Sequence, residues 1–284
     1  MDGLSRNLRL GQPTRLSRAM ALDNALKALI LDMDGVLWRA DQPIGDLPAT
    51  FARIRQMGLR FTLATNNATL SAGQYVEKLA GFGVTLEPDQ VVTSAGSAAR
   101  YLQRRYPQGG PVFIVGETGL QRELAGCGFY PAEEGSQAGC LAVVAGLDRT
   151  ITYDKLARAA ALARAGVLFV GTNPDLTYPA VGGLAPGAGS VLAFISAASG
   201  VQPVITGKPQ PELYLLALER MSVSPQETLV IGDRLDTDIV GAQALGCRTG
   251  LVLTGVSTDA EAQAWQPSLD WTAPDLAGLL EMIT

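Results

Sequence analysis

Three short apolar runs, each followed directly by polar residues, constrain the fold of this chain more than any other feature. The runs span residues 28–31, 61–64 and 229–231, and they are followed by Asp32, by Thr65 and by Asp233 after one glycine. Because their hydrophobicity is continuous and does not alternate, the runs are typical of strands covered on both faces, as in a parallel sheet. Ligands bind at the carboxyl ends of the strands in such sheets, so we expect the polar residues that follow the runs to line a site.

Helical patterns separate these runs. Ser71 and Gln74 form a capping box that predicts a helix to Leu79. After Pro211, four apolar residues recur at helical spacing, namely Leu213, Leu216, Ala217 and Met221. Alternation of strands and helices predicts an α/β fold with a doubly wound sheet.

The length of 284 residues is typical of about two domains. The middle of the chain has its own alternation, with predicted strands at 112–115, 141–145 and 167–170. We therefore predict a core formed by residues 27–95 and 200–284, and a second α/β unit, residues 96–199, inserted into it.

Residues 1–26 are predicted to be a loosely ordered extension. The first 20 residues contain four arginines and one acid, a composition that also occurs in organelle transit peptides, and Met20 is an alternative start. No apolar stretch of signal-peptide length follows, and no run approaches the roughly 18 apolar residues that span a bilayer. We expect a soluble, cytoplasmic protein without a membrane partner.

Composition excludes several kinds of site. The chain has no histidine, which excludes Ser-His-Asp and Cys-His catalysis and every zinc or iron site with a histidine ligand. Its three cysteines form no Cys-x-x-Cys pair, which argues against a disulfide framework and favours a reducing compartment. A formal charge of −5 weighs against nucleic acid as the main partner. Catalysis must therefore rest on carboxylates, hydroxyls, amides and four lysines.

Asp32 and Asp34 are the sharpest local feature, in the sequence Asp32-Met33-Asp34-Gly35. Residues two apart on an extended segment point the same way, so both carboxylates can face one site. Two close carboxylates repel each other unless a cation is present or one is protonated. This suits one nucleophile and one proton donor and acceptor, although the same residues also occur in a simple strand followed by an Asp-Gly turn.

A second acidic cluster spans residues 233–238. We expect Asp233 to lie in the loop after a buried strand and Asp238 near the start of a helix that runs toward Leu245. Oxygen ligands that converge from two strand ends suit Mg²⁺, and Asp233 is interpreted as a metal ligand. Asp236 is interpreted instead as an acid that caps the helix and complements its dipole.

Two further segments could bind phosphate. Thr65-Asn66-Asn67 offers a hydroxyl, amides and free backbone N–H groups, although Asn-Asn after a strand is usually only a loop. Lys208, between Gly207 and Pro209, could hold a phosphoryl oxygen and offset the carboxylates, or be an ordinary surface lysine.

Neither glycine-containing segment near these residues matches a nucleotide-binding motif. Gly207-Lys208 has Gln202 where the first glycine of a P-loop belongs and Pro209 where a serine or threonine should follow. Gly187-Ala188-Gly189 has Leu192 at the third glycine position of a dinucleotide fingerprint. NAD is therefore not expected as a cofactor.

In the order acid pair, Thr-Asn, lysine, acid pair, these residues resemble the motifs of the haloacid dehalogenase-like hydrolase superfamily. The first motif resembles Asp32-Met33-Asp34-Gly35, the second Thr65, the third Lys208, and the fourth Asp233 with Asp238. The segments 65–67, 172–175, 186–190 and 207–209 resemble the type IIA branch, which contains NagD-like and 4-nitrophenylphosphatase-like proteins. The resemblance covers residues 27–284.

The resemblance implies a Rossmann-like core with a mostly parallel sheet and an inserted cap of the C2 type. It implies a Mg²⁺-dependent phosphomonoesterase in which Asp32 attacks phosphorus and forms an aspartyl-phosphate. Asp34 would protonate the leaving oxygen and then deprotonate the hydrolytic water.

The same resemblance implies the ligands of the metal and of the phosphoryl group. Mg²⁺ would be held by the Asp32 carboxylate, the Asp34 backbone carbonyl and Asp233, with Asp238 close by or ligating through water. The phosphoryl oxygens would be gripped from the core by four residues: Thr65, Asn66, Asn67 and Lys208.

By the same resemblance, the cap would cover the site and select the leaving group. Asn173, Asp175 and the loop 182–189 are candidates for contact with the substrate, although Asn-Pro-Asp and Gly-Pro-Gly are also ordinary loop sequences. The partner would be a small-molecule phosphate ester, with nucleotides, sugar phosphates, phosphoglycolate and pyridoxal phosphate all open. Caps of this size often pair, which favours a homodimer through the cap.

Three other functions are compatible with the same site residues. A 2-haloacid dehalogenase uses the same nucleophile without metal, but has no need of a second acid at Asp34. A phosphoryl-accepting signalling domain would hold the aspartyl-phosphate without turning it over, although such domains are usually much shorter. A sugar-phosphate mutase would differ only in the fate of the phosphoryl group.

Overall fold

A computed structural model describes residues 26–133, 139–180 and 182–284. The strands, numbered along the chain, are β1 (Ala28–Leu31), β2 (Trp38–Arg39), β3 (Gln42–Pro43), β4 (Arg60–Thr65), β5 (Val91–Thr93), β6 (Gly110–Val115), β7 (Phe129–Pro131), β8 (Ala142–Ala145), β9 (Leu168–Gly171), β10 (Thr177–Ala180), β11 (Gly183–Pro186), β12 (Val204–Ile205), β13 (Thr228–Gly232), β14 (Arg248–Val252) and β15 (Trp271–Ala273).

The α-helices are α1 (Leu47–Gln56), α2 (Ala72–Gly81), α3 (Ser94–Arg105), α4 (Thr118–Gly126), α5 (Tyr153–Arg164), α6 (Ala188–Ser199), α7 (Pro211–Met221), α8 (Val240–Leu245), α9 (Asp259–Ala264) and α10 (Leu276–Met282). Short 3₁₀ turns lie at Pro88–Gln90 and Pro225–Glu227, and a π-helical turn lies at Leu235–Ile239.

The larger sheet has six parallel strands in the order β15-β14-β13-β1-β4-β5. The three strands predicted from the apolar runs are confirmed as three adjacent interior strands, β13, β1 and β4. The chain leaves β1 toward β4 on one side and later returns to β13 on the other, so the strand order reverses between β1 and β13. Ligands bind at such a reversal in open α/β sheets.

Both faces of this sheet are covered, as the continuous apolar runs predict. Leu29 and Leu31 of β1 pack in the hydrophobic cluster that contains residues of α1, α2 and α10. Ala28 and Ile30 of the same strand pack in the cluster that contains residues of α7 and α8. Successive residues of β1 therefore serve opposite cores, and a polar substitution in either set would bury an unpaired group.

Both predicted helices form. Ser71 caps α2, and its reciprocal capping box with Gln74 is present. Pro211 begins α7, whose four predicted apolar positions are all buried. Proline suits the first helical position because the N–H that it lacks has no partner within the helix.

The second sheet is also parallel, in the order β12-β9-β8-β6-β7. Helices α3 and α4 cover one face, and α5 and α6 cover the other. A short antiparallel hairpin, β10–β11, lies outside this sheet. The α/β fold class with two parallel sheets is confirmed.

The predicted domain boundaries at 95/96 and 199/200 fall close to the elements that join the two sheets. Helix α3 crosses the first boundary and packs against both α4 and α7. Strand β12 lies beyond the second boundary but pairs with β9 of the second sheet. The division of the chain into domains stays a prediction, and we refer to the second sheet and its helices as the cap.

The predicted loose extension, residues 1–26, lies outside the described residues except for Leu26, which packs against the larger core. Within the described ranges, no helix combines the length and the hydropathy needed to cross a bilayer. The cytoplasmic location stays a prediction.

Candidate active site

Three neighbouring strands deliver polar side chains to one edge of the larger sheet. Asp32 follows β1, Asp233 follows β13, and Thr65 is the last residue of β4. Leu31 is in register with Ile231 and with Leu63, and the Asp32 N–H continues the ladder by donating to the Ile231 carbonyl at 2.8 Å. Parallel strands that end at the same level therefore bring together residues some 200 positions apart.

A buried cluster of three carboxylates forms at this edge, from Asp32, Asp233 and Asp238. One oxygen of each lies within 4.8 Å of the others, and the three residues are only 8%, 2% and 1% exposed. The π-helical turn places Asp238, which precedes α8 as predicted. There its N–H donates to the Arg234 carbonyl at 3.0 Å, and its Oδ2 accepts from the Arg234 N–H at 3.2 Å.

The Lys208 ammonium lies among these carboxylates. It donates to Asp32 Oδ1, to Asp238 Oδ1 at 2.6 Å and to the Ala64 carbonyl at 3.1 Å. An ammonium has three N–H donors, so all of them have partners. Lys208 is 3% exposed, which excludes the interpretation as an ordinary surface lysine.

Crowding of like charges in this buried cluster changes the proton affinities. Burial raises the pKa of Asp32 well above its ordinary value; Lys208 opposes this rise, and Asp238 and Asp233 add to it. Burial, reinforced by Asp238, raises the pKa of Asp233 to about 6. Burial alone would lower the pKa of Lys208, but Asp238 and Asp32 outweigh it and the net pKa is raised. Three carboxylates against one ammonium leave excess negative charge that a cation would neutralise.

Backbone loops hold the Asp233 carboxylate in place. The Val256 N–H donates to Asp233 Oδ2 at 2.8 Å. A side-chain Cβ at Gly255 or at Gly35 would collide with the same carboxylate, at 2.5 Å from Oδ2 in the case of Gly35. Gly35 also has φ +83°, in the left-handed region. Glycine is therefore required here for close approach as well as for the turn.

Asp34 lies at the mouth of the site and is exposed, unlike Asp32. Its Oδ1 accepts a hydrogen bond from the Trp38 indole N–H at 2.9 Å. One acid of the pair is thus buried against a cation, and the other is open to solvent and to a ligand.

Thr65 and the two asparagines after it take different positions. Thr65 is 2% exposed, and its hydroxyl accepts from the Asn67 N–H at 3.1 Å. The Asn67 side chain accepts from Thr69 within its own turn. The Asn66 amide accepts from the Lys208 N–H at 2.7 Å and donates to the Lys208 carbonyl at 3.0 Å, so it fixes the main chain on both sides of that residue.

The cap reaches this edge through the loop after β9. Asp175 Oδ2 accepts from the Asn66 amide at 3.0 Å, and its Oδ1 lies 3.6 Å from the Arg234 guanidinium. The Asn173 amide donates to the Asn66 carbonyl at 2.7 Å. Both predicted cap residues therefore contact the core at Asn66.

All ten predicted site residues line one cavity of about 570 Å³ between core and cap. They are Asp32, Asp34, Thr65, Asn66, Asn67, Asn173, Asp175, Lys208, Asp233 and Asp238. The segment 182–189, predicted as a loop, contains strand β11 and the start of α6, and its residues Gly187 and Ala188 line the cavity. Their chemical roles stay predictions at this point.

Several lining residues were missed by the sequence analysis, including Trp38, Arg39, Arg149, Tyr178 and Arg234. Trp38 and Arg234 lie close in sequence to Asp34 and Asp233, so proximity to an acid could have suggested them. Arg149 lies in a cap loop and Tyr178 in strand β10, and neither has such a signal. Asp236 does not line the cavity, and its pKa is lowered chiefly by a hydrogen bond from Arg234. The predicted capping role is not seen, because the turn begins after Arg234 without a side-chain cap hydrogen bond.

Comparison with known families and proteins supports a hydrolase. A haloacid dehalogenase-like hydrolase family model matches residues 29–130, and a second, HAD-hydrolase-like model matches residues 205–279. The D-glycerol 3-phosphate phosphatase of Mycobacterium tuberculosis is 39% identical over 84% of this chain, which spans just 66% of that protein. The acid sugar phosphatase of Staphylococcus aureus is 35% identical over 84% of this chain and 90% of its own length.

Solved structures agree with the whole architecture. The 4-nitrophenylphosphatase of Thermotoga maritima superposes with a TM-score of 0.85 at 31% identity, covering 93% of this chain and 99% of that one. The glycerol phosphate phosphatase of M. tuberculosis, solved in complex with magnesium, superposes with a TM-score of 0.82 at 37% identity, covering 91% and 77%. The first of these belongs to the 4-nitrophenylphosphatase-like proteins that the motifs resemble. On the two family models and this level of identity, the chain belongs to the haloacid dehalogenase-like hydrolase family.

Proposed function

We propose that this chain is a Mg²⁺-dependent phosphomonoesterase that hydrolyses a small-molecule phosphate ester through an aspartyl-phosphate on Asp32. The observation that carries the proposal is the buried cluster of Asp32, Asp233 and Asp238 around Lys208, at the strand-order reversal of the sheet. Its relatives are named phosphatases.

The chemistry of the donor set fits Mg²⁺. The cluster offers hard carboxylate oxygens, no sulfur and no imidazole, and it has more negative charge than Lys208 balances. We assign the Asp32 carboxylate, the Asp34 backbone carbonyl and Asp233 as ligands. Asp238 is committed to Lys208 and to the Arg234 N–H, so we assign it a role beside the metal or through water.

When bound, Mg²⁺ supplies positive charge that lets an anionic nucleophile approach an anionic phosphoryl group and stabilises charge in the transition state. Asp32 attacks phosphorus with one carboxylate oxygen, and the bond from phosphorus to the ester oxygen breaks. Asp34 gives its proton to that departing oxygen. It then accepts a proton from the water that attacks the phosphoenzyme, which releases phosphate and restores Asp32.

We assign the phosphoryl oxygens to Thr65 and Lys208. The Thr65 hydroxyl is buried at the end of β4, and the Lys208 ammonium can exchange one present partner for a phosphoryl oxygen. Asn66 acts differently from the predicted direct grip, since its amide is occupied by the main chain of Lys208 and by Asp175. We assign its side chain to holding the lysine loop and its N–H group to the phosphate. We assign the Asn67 N–H to the phosphate as well, in exchange for its present bond to the Thr65 hydroxyl.

The substrate is proposed to be the phosphate ester of a small, hydroxyl-bearing alcohol. A cavity of about 570 Å³ is in the usual range for small-molecule sites. Its cap side offers hydrogen-bonding groups from Asn173, Asp175, Arg149 and Tyr178. These suit a polyol or sugar, and two relatives are named D-glycerol 3-phosphate phosphatase and acid sugar phosphatase.

The alternatives that the sequence left open are less well supported. A metal-free 2-haloacid dehalogenase has no use for the second acid, Asp34, which lines the cavity. A signalling domain needs a lasting phosphoenzyme, and it has no need of a cap that encloses a leaving group.

The test is phosphate release from a panel of metabolite esters, with and without Mg²⁺. We expect Mg²⁺-dependent release from 4-nitrophenyl phosphate and from at least one polyol or sugar phosphate. Asp32→Asn should release none while circular dichroism shows an intact fold. Asp259→Asn, an exposed acid on α9, is the matched control and should behave as wild type. Turnover by Asp32→Asn, or equal turnover in excess chelator, would contradict the proposal.

A further inference from the structure

The Asp34 carboxylate makes one hydrogen bond within the part of the chain that the structure describes, from the Trp38 indole N–H to Oδ1 at 2.9 Å. Its other oxygen, Oδ2, is left without a protein partner there. Asp34 is exposed and lines the cavity, and no second hydrogen bond from the described residues fixes the direction of its carboxylate. The indole therefore determines which oxygen faces the ligand.

Trp38 itself cannot move freely. Its side chain is fully buried and stacks on Tyr75, with ring centroids 6.3 Å apart and 13° between the planes. Phe82 packs at 6.0 Å in a tilted arrangement, and the Lys78 ammonium lies 4.6 Å from the ring centroid. Such contacts between aromatic rings, and between a cation and a ring, favour one orientation of the indole.

The contacts to the indole come from one face of helix α2 and its end. Tyr75, Lys78 and Phe82 follow a spacing of three and four residues, which places them on the same side. The tight turn that leads to Trp38 is fixed as well, since the Leu37 N–H donates to the Met33 carbonyl and the Gly35 N–H donates to the Trp38 carbonyl, both at 2.8 Å. Both ends of the hydrogen bond to Asp34 are therefore anchored.

We propose that Trp38 is a positioning residue that holds Asp34 Oδ1 and directs Oδ2 to the ester oxygen. This inference rests on the proposed function. In the first step, the proton on Oδ2 passes to the leaving oxygen as the phosphorus–oxygen bond breaks, and Asp34 becomes a carboxylate that keeps the indole hydrogen bond.

Loss of the indole N–H should affect poor leaving groups most. An alkoxide must be protonated as it departs, whereas 4-nitrophenolate is stable enough to leave without a proton. A positioned acid contributes about 10²- to 10⁴-fold where the proton is needed, and part of that depends on orientation. A purely structural role would instead lower the turnover of every ester alike.

The experiment compares kcat/KM for 4-nitrophenyl phosphate, phenyl phosphate and glycerol 3-phosphate in the presence of Mg²⁺. One variant is Trp38→Phe, and a second carries benzothienylalanine at this position, which keeps the shape of the indole and replaces its N–H by sulfur. The control is Trp265→Phe, which removes an indole hydrogen bond to Gln243 (3.1 Å) away from the cavity.

We expect both Trp38 variants to lose about 10- to 100-fold on phenyl phosphate and glycerol 3-phosphate, and less than about threefold on 4-nitrophenyl phosphate. Trp265→Phe should match wild type on all three esters. Equal losses on all esters, or no loss in the benzothienylalanine protein, would overturn the positioning role. The proposed function is judged separately, by the activity of wild type and its absence in Asp32→Asn.

Discussion

The two walls of the cavity are built differently. On the core wall, Asp32, Asp233, Asp238 and Lys208 are each less than 10% exposed and bonded to one another or to main-chain groups. On the cap wall, Asn173 is buried and bonded to Asn66, but Arg149 is largely exposed, and its cation is paired with Glu117 of the cap rather than with the core. Charged groups that are buried and mutually bonded keep one geometry, whereas exposed groups on loops can change at little cost to the fold.

This difference suggests a division of labour. The core wall determines the bond-breaking chemistry and should act on every ester alike. We expect the cap wall to determine which alcohol is accepted, since in the proposed function it faces the leaving group. The joining point is Asn66, which bonds the Lys208 main chain on one side and Asp175 on the other. Substitutions on the core wall should therefore lower activity on every ester, whereas substitutions on the cap wall should have smaller effects that differ between esters.

The largest effect is expected at Asp32. Replacement by asparagine keeps the shape but removes the nucleophile, so kcat should fall at least about 10⁴-fold on every ester. Steady-state phosphate release on three chemically different esters measures it. Retention of activity on any one of these esters would contradict the proposed division of labour, because the core wall would then discriminate between esters.

The second largest loss is expected for Gly35→Ala. The new Cβ would lie 2.5 Å from Asp233 Oδ2, and φ is +83°, so the carboxylate that we propose as a metal ligand must move. We expect kcat to fall at least about 100-fold, with a weaker dependence on Mg²⁺ concentration.

The matched control for Gly35→Ala is Gly45→Ala. Gly45 also has a positive φ, +68°, but a Cβ there meets nothing within 4 Å. It should lose about 1 kcal/mol of the free energy of unfolding, measured in urea, and keep its turnover. Equal turnover in the two variants would show that the approach of Gly35 to Asp233 is unimportant.

An intermediate effect is expected for Asp175→Ala, at the joining point. It removes the partner of the Asn66 amide and the acid near Arg234. We expect about a tenfold loss in kcat/KM, from both a higher KM and a lower kcat, because the lysine loop loses support. Asp154→Ala, on an exposed acid at the start of α5, should match wild type, and an equal loss there would point to a general effect of cap charge.

The smallest effect is expected for Arg149→Met on the cap wall. It should change kcat/KM by less than about tenfold, with values that differ between glycerol 3-phosphate and sugar phosphates. The ratio of kcat/KM between esters is the readout. An equal loss of kcat/KM on all esters would show that Arg149 contributes to the chemistry and not to the choice of ester.

Local patterns predicted much of the fold and of the core wall. Apolar runs indicated the three central strands, and Ser71 with Gln74 indicated the start of α2, because burial on both faces and capping are short-range effects. The acids after β1 and β13 were identified because each directly follows an apolar run, and parallel strands of one sheet end at one edge.

Long-range packing was not predictable in the same way. The stacking of Trp38 on Tyr75 joins a hairpin to a helix, and no periodicity in the sequence encodes that contact. The π-helical turn that directs Asp238 toward Lys208 departs from helical spacing. The hydrogen bonds of the Asn66 side chain to two distant segments, at Lys208 and Asp175, were also not predictable from the sequence.

The most direct measurement is the binding of Mn²⁺, as a paramagnetic substitute for Mg²⁺, followed by the electron paramagnetic resonance of the free ion. Wild type should bind a single Mn²⁺ that Mg²⁺ displaces, and Asp233→Asn should bind it at least about tenfold more weakly. Asp236→Asn, three residues away on an exposed acid paired with Arg234, should bind like wild type. Equal Mn²⁺ affinity in the wild-type and Asp233→Asn proteins would contradict a shared cation between the ends of β1 and β13.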